Sequence, residues 1–145
     1  MSNVFVYGTL QSPKIVKKLT GKSFQTLPAV LPGYKRYCVK DCDYPAVIQQ
    51  NDAETTGLVL ENVDDLSLEI ISFYEGDEYE KRQVTLLTGD SPEIALAFVW
   101  AKGFEFLEDA EWDLVRFEET RLKHYIDIVV PETLEEFGSK KTVDY

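Results

Sequence analysis

Residues 4–13, VFVYGTLQSP, compress a strand, a break and a helix start into ten positions. Val4, Phe5, Val6 and Tyr7 are β-branched or aromatic and suit a short buried strand. Gly8 and Thr9 interrupt it, and a glycine there lets a second group approach the main chain closely. Ser12 followed by Pro13 reads as a helix N-cap and the first helical residue. Such a junction can aim several unpaired backbone N–H groups at one point, and a helix N-terminus favours an anion there. Two readings stay open from these residues: a cradle for a carboxylate or phosphate, and an ordinary β-turn-α connection.

The helix begun at Ser12 should run to Leu19, with Ile15, Val16 and Leu19 inward, and end at Gly21. Residues 27–88 are mostly strand. Ala29–Leu31 precedes a Pro32-Gly33 turn pair, and Tyr34–Val39 alternates as a half-buried strand does. Asp41, Asp43 and Pro45 punctuate a loop. Ala46–Gln50 and Thr55–Leu60 read as a hairpin around Asn51-Asp52. The period then changes: Leu66, Ile70 and Phe73 mark one face of a helix over Val63–Tyr74, capped by Asp64 or Asp65 and ended by Gly76. Tyr79–Thr88 alternates again, with Val84, Leu86 and Arg82 sharing a side. A turn at Gly89-Asp90-Ser91-Pro92 leads to an apolar strand, Ile94–Trp100. A loop over Ala101–Asp109 precedes a helix over Glu111–Tyr125. Trp112, Val115, Leu122 and Ile126 share its stripe with Glu119, which needs a base at the stripe's edge or a role in a site. Residues 129–145 read as a polar tail, weakly helical at 132–137 and mobile from 136. These elements, about six strands and three helices, make one α+β domain over residues 1–145 with a mostly antiparallel, curved or closed sheet.

A net charge of −11 argues against nucleic acid, whose phosphates would be repelled. No apolar run is long enough to span a membrane, and MSNVFVYGTL lacks the basic and apolar regions of a signal peptide. Two cysteines without a secretion signal suggest a reducing, cytoplasmic setting.

Metal and nucleophile chemistry find little to use. His124 is the one histidine, and Cys38 and Cys42 have no second pair to complete a zinc site. There is no nucleophile elbow, P-loop or dinucleotide fingerprint. The densest chemistry lies in Phe73–Arg82, FYEGDEYEKR. Glu75 sits there at a helix end beside Phe73, Tyr74 and Tyr79. A carboxylate against aromatic rings loses hydration, so its pKa should rise toward the range of a general base at neutral pH. A helix end decorated with solvated acids is the plainer alternative.

VYGTL at the start, taken with E-G-x-x-Y-x-x-R over Glu75–Arg82, resembles the γ-glutamyl cyclotransferase-like family, which includes AIG2-like and γ-glutamylamine cyclotransferase proteins. Leu31-Pro32-Gly33-Tyr34, Tyr44-Pro45-Ala46 and Thr56-Gly57-Leu58-Val59-Leu60 extend the likeness over residues 4 to 100. The resemblance implies a small mixed β-barrel with flanking helices, and a pocket between the YGTL loop and the glutamate. It implies that Tyr7, Gly8, Thr9 and Leu10, extended to Gln11 and Ser12, hold the substrate. Glu75 would be the proton acceptor, Tyr79 a pocket wall and Arg82 a structural ion pair. Many members carry Asp three residues before this glutamate, where this chain has Ser72.

The implied reaction suits one glutamate. In a γ-glutamyl compound the α-amine attacks the γ-carbonyl, closes 5-oxoproline and expels an amine. Glu75 would take the ammonium proton and return it to the leaving amine. No metal and no cofactor is required, and the implied partner is a small γ-glutamyl molecule. The loops at Asp41–Tyr44 and Phe104–Glu108 are candidates for choosing the leaving group. A non-catalytic module binding a small carboxylate on the same fold is the alternative. Oligomeric state is not legible in the sequence.

Overall fold

The computed structural model describes the backbone of residues 1–143 and the side chains through residue 139. Side-chain alternation along its strands decides the architecture. Strand β1 (Ser2–Val6) turns Phe5 one way and Val4 and Val6 the other, and all three are buried. It is therefore covered on both faces, as the unbroken apolar run VFV requires.

Strands β2 (Thr26–Val39), β3 (Pro45–Val63), β4 (Tyr79–Thr88) and β5 (Ser91–Trp100) complete a ring with it. The order is β3-β1-β5-β4-β2, and β2 pairs with β3 to close it. Strand β6 (Leu107–Glu108) adds to β2 outside the ring. Among the described residues only β1 and β5 run parallel, at Val4 and Leu96; the other pairs are antiparallel. Inside the barrel Phe5, Leu31, Val47, Val59, Leu86 and Ala97 interdigitate. Outside it, Val4 and Val6 pack against Ile15, Val16 and Leu19 of helix α1 (Pro13–Thr20) and Ile71 of helix α2 (Asp65–Glu75). The expected mixed β-barrel with flanking helices is the fold observed.

Several local expectations give way. Pro32-Gly33 does not reverse the chain, and the hairpin around Asn51-Asp52 is not formed. Both segments lie within long strands that pair on either side, from Thr26–Leu60 through Cys38–Pro45. The register jumps between Pro32 and Tyr34, with Gly33 at φ +82° and, on the facing strand, Asp52 at φ +65°. Local turn chemistry is absorbed there as a bulge, because pairing on both sides outweighs it. The reversal lies at residues 40–44 instead. Gly57 is fixed by a close crossing: a Cβ there would collide with the Val6 carbonyl oxygen.

Helix α2 is capped by Asp64, whose carboxylate accepts from the Ser67 amide at 3.2 Å. It ends where Gly76 takes φ +85°. Its buried residues are Ser67 and Ile71, and Leu66 is exposed, so the face is turned by one residue from the expected stripe. A buried serine hides that stripe from an apolar count. After α2, Val84 and Leu86 point into the barrel while Arg82 is exposed at its end. The loop at 101–109 contains a short helical turn, Phe104–Phe106, and then β6.

The expected helix over Glu111–Tyr125 is shorter and broken. Helix α3 (Leu114–Thr120) is capped by Asp113, and a single turn α4 (Leu122–His124) leads into a π-helical turn, Tyr125–Val129. Helix α5 (Val130–Val143) follows where a polar tail was expected. Residues 144 and 145 of that tail lie outside the described residues. Phe117, Tyr125 and Val130 are buried, whereas Val115 and Glu119 are exposed. The break at Arg121 and the wide π turn shift the helical period, so a single stripe cannot describe this segment. Among the described residues no helix is long and apolar enough to cross a membrane.

Candidate functional site

The loop after β1 forms one side of the site. Beyond Val6 the chain passes Tyr7 and Gly8 and enters a 3-10 turn, Thr9–Gln11. The Tyr7 hydroxyl donates to the Phe98 carbonyl on β5 at 2.6 Å, which pins the ring within the barrel wall. The amides of Gln11 and Ser12 take the carbonyls of Gly8 and Thr9 at 3.0 and 3.1 Å. A turn of this kind uses its carbonyls and leaves its leading amides unpaired. Gly8 also lies against Pro45, where a Cβ would stand 2.8 Å from the proline Cδ. Only a residue without a side chain lets the two segments pass this closely.

Helix α2 delivers Glu75 as its last residue. Its neighbour Tyr74 shares a hydrogen bond of 2.8 Å with the Thr9 hydroxyl, tying helix to loop. From β4, the Tyr79 hydroxyl donates to the Pro45 carbonyl at 2.8 Å, and its ring meets Trp100 edge-on with centroids 5.3 Å apart. The Tyr44–Pro45 wall is held from behind. The Asp43 carboxylate pairs with Arg121 at 3.0 Å, and the Asp43 carbonyl accepts from the Trp112 indole at 2.8 Å.

Glu75 lines two spaces that share Thr9, Tyr44 and Tyr79. The inner one, about 20 Å³, is lined by the Tyr7–Leu10 loop with Tyr44, Pro45, Glu75 and Tyr79. The outer cleft, about 220 Å³, is lined by Thr9, Tyr44, Tyr74, Glu75, Glu78 and Tyr79, and by Tyr125, Val129 and Thr133 from the C-terminal helices. Burial of its carboxyl pushes the Glu75 pKa up to about 8. Among the described residues no hydrogen bond relieves that carboxyl. Its place at a helix C-terminus disfavours the anion further. The surrounding phenols of Tyr7, Tyr74, Tyr79 and Tyr125 are raised in turn, by burial first and then by the Glu75 charge among other causes, so they stay neutral donors.

The structure brings Tyr7, Gly8, Thr9, Leu10, Glu75 and Tyr79 to one cavity. Gln11 and Ser12 do not line it. The Gln11 amide nitrogen of the side chain donates back to the Gly8 carbonyl at 3.4 Å. Ser12 occupies the N-cap position of α1, but its hydroxyl is buried and caps nothing. Ser72 likewise buries its Oγ without a partner. Arg82 pairs with Glu80 at 3.0 Å on the surface, away from the cavity. Phe73 meets Phe137 edge-on, with ring centroids 5.5 Å apart. The 104–108 segment packs elsewhere, with Phe104 edge-on to Tyr37, so it does not line the cleft. Sequence reasoning misses Tyr125, Val129 and Thr133, because no local signal ties the end of one helix and the start of a polar tail to a glutamate 50 or more positions earlier. His124 is exposed, Cys38 and Cys42 are free thiols, and no acidic, histidine or cysteine cluster among the described residues could hold a metal.

Residues 4–114 match the family described as Gamma-glutamyl cyclotransferase, AIG2-like. Protein AIG2 C of Arabidopsis thaliana is 33% identical over 84% of this chain and 73% of its own length. AIG2-like protein D of the same plant is 30% identical over 98% of this chain and 95% of its own. The solution structure of an Arabidopsis thaliana protein, 27% identical, superposes with a TM-score of 0.68 over 87% of this chain and 86% of that one. A structure described as Gamma-glutamyl cyclotransferase superposes with a TM-score of 0.60 over 87% and 84% at 15% identity, a likeness of fold alone. The outer residues Tyr125, Val129 and Thr133 fall beyond the matched segment. With its barrel, its glycine loop and the glutamate facing it, the chain belongs to the AIG2-like γ-glutamyl cyclotransferase family.

Proposed function

We propose that this chain is a γ-glutamyl cyclotransferase that converts a γ-glutamyl compound to 5-oxoproline and a free amine, with Glu75 as general base and then general acid. The observation that carries this reading is the shared cavity. A carboxyl raised to about 8 shares that cavity with the Tyr7–Leu10 loop.

The substrate's α-carboxylate sits on the Gly8–Leu10 amides, as an anion does at the start of a helical turn. Glu75 accepts a proton from the α-ammonium. The freed nitrogen forms a bond to the γ-carbonyl carbon; as the bond from that carbon to the leaving nitrogen breaks, Glu75 returns the first proton to the leaving nitrogen and then relays to it the second proton that the ring nitrogen sheds, so the amine leaves as an ammonium. No electrons are exchanged with a second reactant. The reaction is intramolecular, so holding the folded conformer supplies much of the acceleration. The inner space has room for about one water, so the bulk of the substrate lies in the outer cleft.

The test is incubation with a panel of γ-glutamyl amino acids and γ-glutamylamines, read for 5-oxoproline by mass spectrometry. The parent protein makes it, and Glu75→Gln, still folded, loses about 10²–10⁴-fold in rate. Near-parental turnover by Glu75→Gln would exclude the assignment. Absence of product, with γ-glutamyl ligands still raising the Tm, would make this a binding module.

A further inference from the structure

Arg36 also reaches the loop, through a backbone carbonyl. It lies on β2, and its Nη1 donates to the Tyr7 carbonyl and to the Thr56 carbonyl, each at 2.9 Å. Those two carbonyls belong to the chain just past the last β1–β3 ladder pair, Val6 with Leu58. Arg36 thus bolts the strands together where their own hydrogen bonding stops. It lines an outer groove with Cys38, Asp43, Glu111 and Trp112, and it does not line the Glu75 cavity.

A trans peptide is planar, and its C=O and N–H point in opposite directions. A guanidinium holding the Tyr7 carbonyl from outside therefore turns the Gly8 N–H away from itself. Gly8 lines the Glu75 cavity, which Arg36 does not. The Tyr7 ring and the Pro45 contact place this peptide, and the Arg36 bond is the one that fixes which way its carbonyl faces. Gly8 has no side chain to fix its torsions, and its own carbonyl is occupied by Gln11. We propose that Arg36 is a positioning residue that locks the Tyr7–Gly8 peptide with its N–H toward the carboxylate subsite, without touching substrate. This rests on the cyclotransferase reading for the identity of the ligand, and on the two hydrogen bonds for the mechanism.

A carboxylate held equally in the ground and transition states contributes to KM and not to kcat. Loss of the Arg36 clamp therefore raises KM while kcat holds. A merely structural role would instead lower the Tm and the active fraction, and with them kcat. Binding can be followed without turnover, using 5-oxoproline and 2-pyrrolidinone, the same ring without the carboxylate.

Calorimetry on the parent, Arg36→Met and Arg36→Lys proteins, with Tm recorded for each, tests the proposal. The expected result is that Arg36→Met weakens 5-oxoproline about tenfold or more, the weight of a hydrogen bond to a charged group, and leaves 2-pyrrolidinone unchanged. Arg36→Lys keeps the charge, but its nitrogen lies one atom nearer the backbone than Nη1 and lacks the planar N–H pair that reaches both carbonyls, and it shows the same selective loss. It also serves if Arg36→Met fails to fold. Parental 5-oxoproline affinity in either folded variant overturns the proposal, as does equal weakening of both ligands. If the parent makes no 5-oxoproline from any substrate yet shows this selectivity, the cyclotransferase reading fails and the role of Arg36 stands.

Discussion

The hydroxyls of Thr9 and Tyr74 stand 2.8 Å apart, and this contact joins the loop after β1 to the helix that carries Glu75. Sixty-five positions separate the two residues, so the distance between loop and carboxylate depends on a bond that neither segment makes alone. Thr9→Val removes it and leaves the Tyr74 hydroxyl enclosed without a partner, at a cost of about 1–2 kcal/mol. Thr9→Val with Tyr74→Phe should cost less than the sum of the two single changes. Urea denaturation of the four proteins measures the coupling, and strict additivity would show that the contact contributes nothing.

Gly8 and Pro45 form the second such joint. Gly8→Ala would place a Cβ 2.8 Å from the proline Cδ and force the loop off the wall. The expected cost is about 1–3 kcal/mol, together with a fall in kcat/KM. Pro45→Ala should relieve the clash, so Gly8→Ala costs less in that background than in the parent. An equal cost in both backgrounds would place the strain elsewhere.

Glu75 should set the ascending limb of the pH–rate profile. Only its ionised form accepts the ammonium proton, and burial holds its pKa near 8. The free-enzyme profile of kcat/KM is expected to rise with pH through about 8. A carboxyl-labelled protein, followed by NMR, should titrate Glu75 in the same range. A limb near the ordinary carboxylate value of 4.5 would show that the carboxyl is solvated.

The same shift has a consequence for stability, with a definite sign. In the unfolded chain Glu75 releases its proton near 4.5, while the folded protein keeps it to about 8. Between these values the native state binds more protons, so this group lowers stability as pH rises. The deficit is complete above the folded pKa. Glu75→Gln removes the titration and should therefore gain Tm relative to the parent as pH rises from 5 to 9. Parallel Tm curves for the two proteins over that range would contradict the buried carboxyl.

Much of the barrel was legible because strands write their burial with a period of two. VFVY announces a strand covered on both faces, and Val84, Leu86, Ala95 and Ala97 face inward in the observed structure. Caps were legible too, since Asp64 and Gly76 act through bonds within a few residues. Where local and distant pairing conflict, as at Pro32-Gly33 and Asn51-Asp52, turn chemistry misled: β2 and β3 continue to pair beyond the bulge. The C-terminal helices misled for a related reason, because a break and a π turn reset the period at Arg121 and Tyr125.

By itself the sequence determined the strand–glycine–turn unit at Tyr7–Ser12, the helix that ends at Glu75, and the aromatic company that a carboxylate there would keep. These follow from backbone freedom, capping and composition, which act over a few residues. Only the tertiary structure decided that Glu75 faces the Gly8 loop, that Tyr125, Val129 and Thr133 wall the outer cleft, and that Arg36 holds the Tyr7 carbonyl. Closure of the ring fixes those meetings. Each joins residues tens of positions apart, and each is set by which strands pair and which helix covers them.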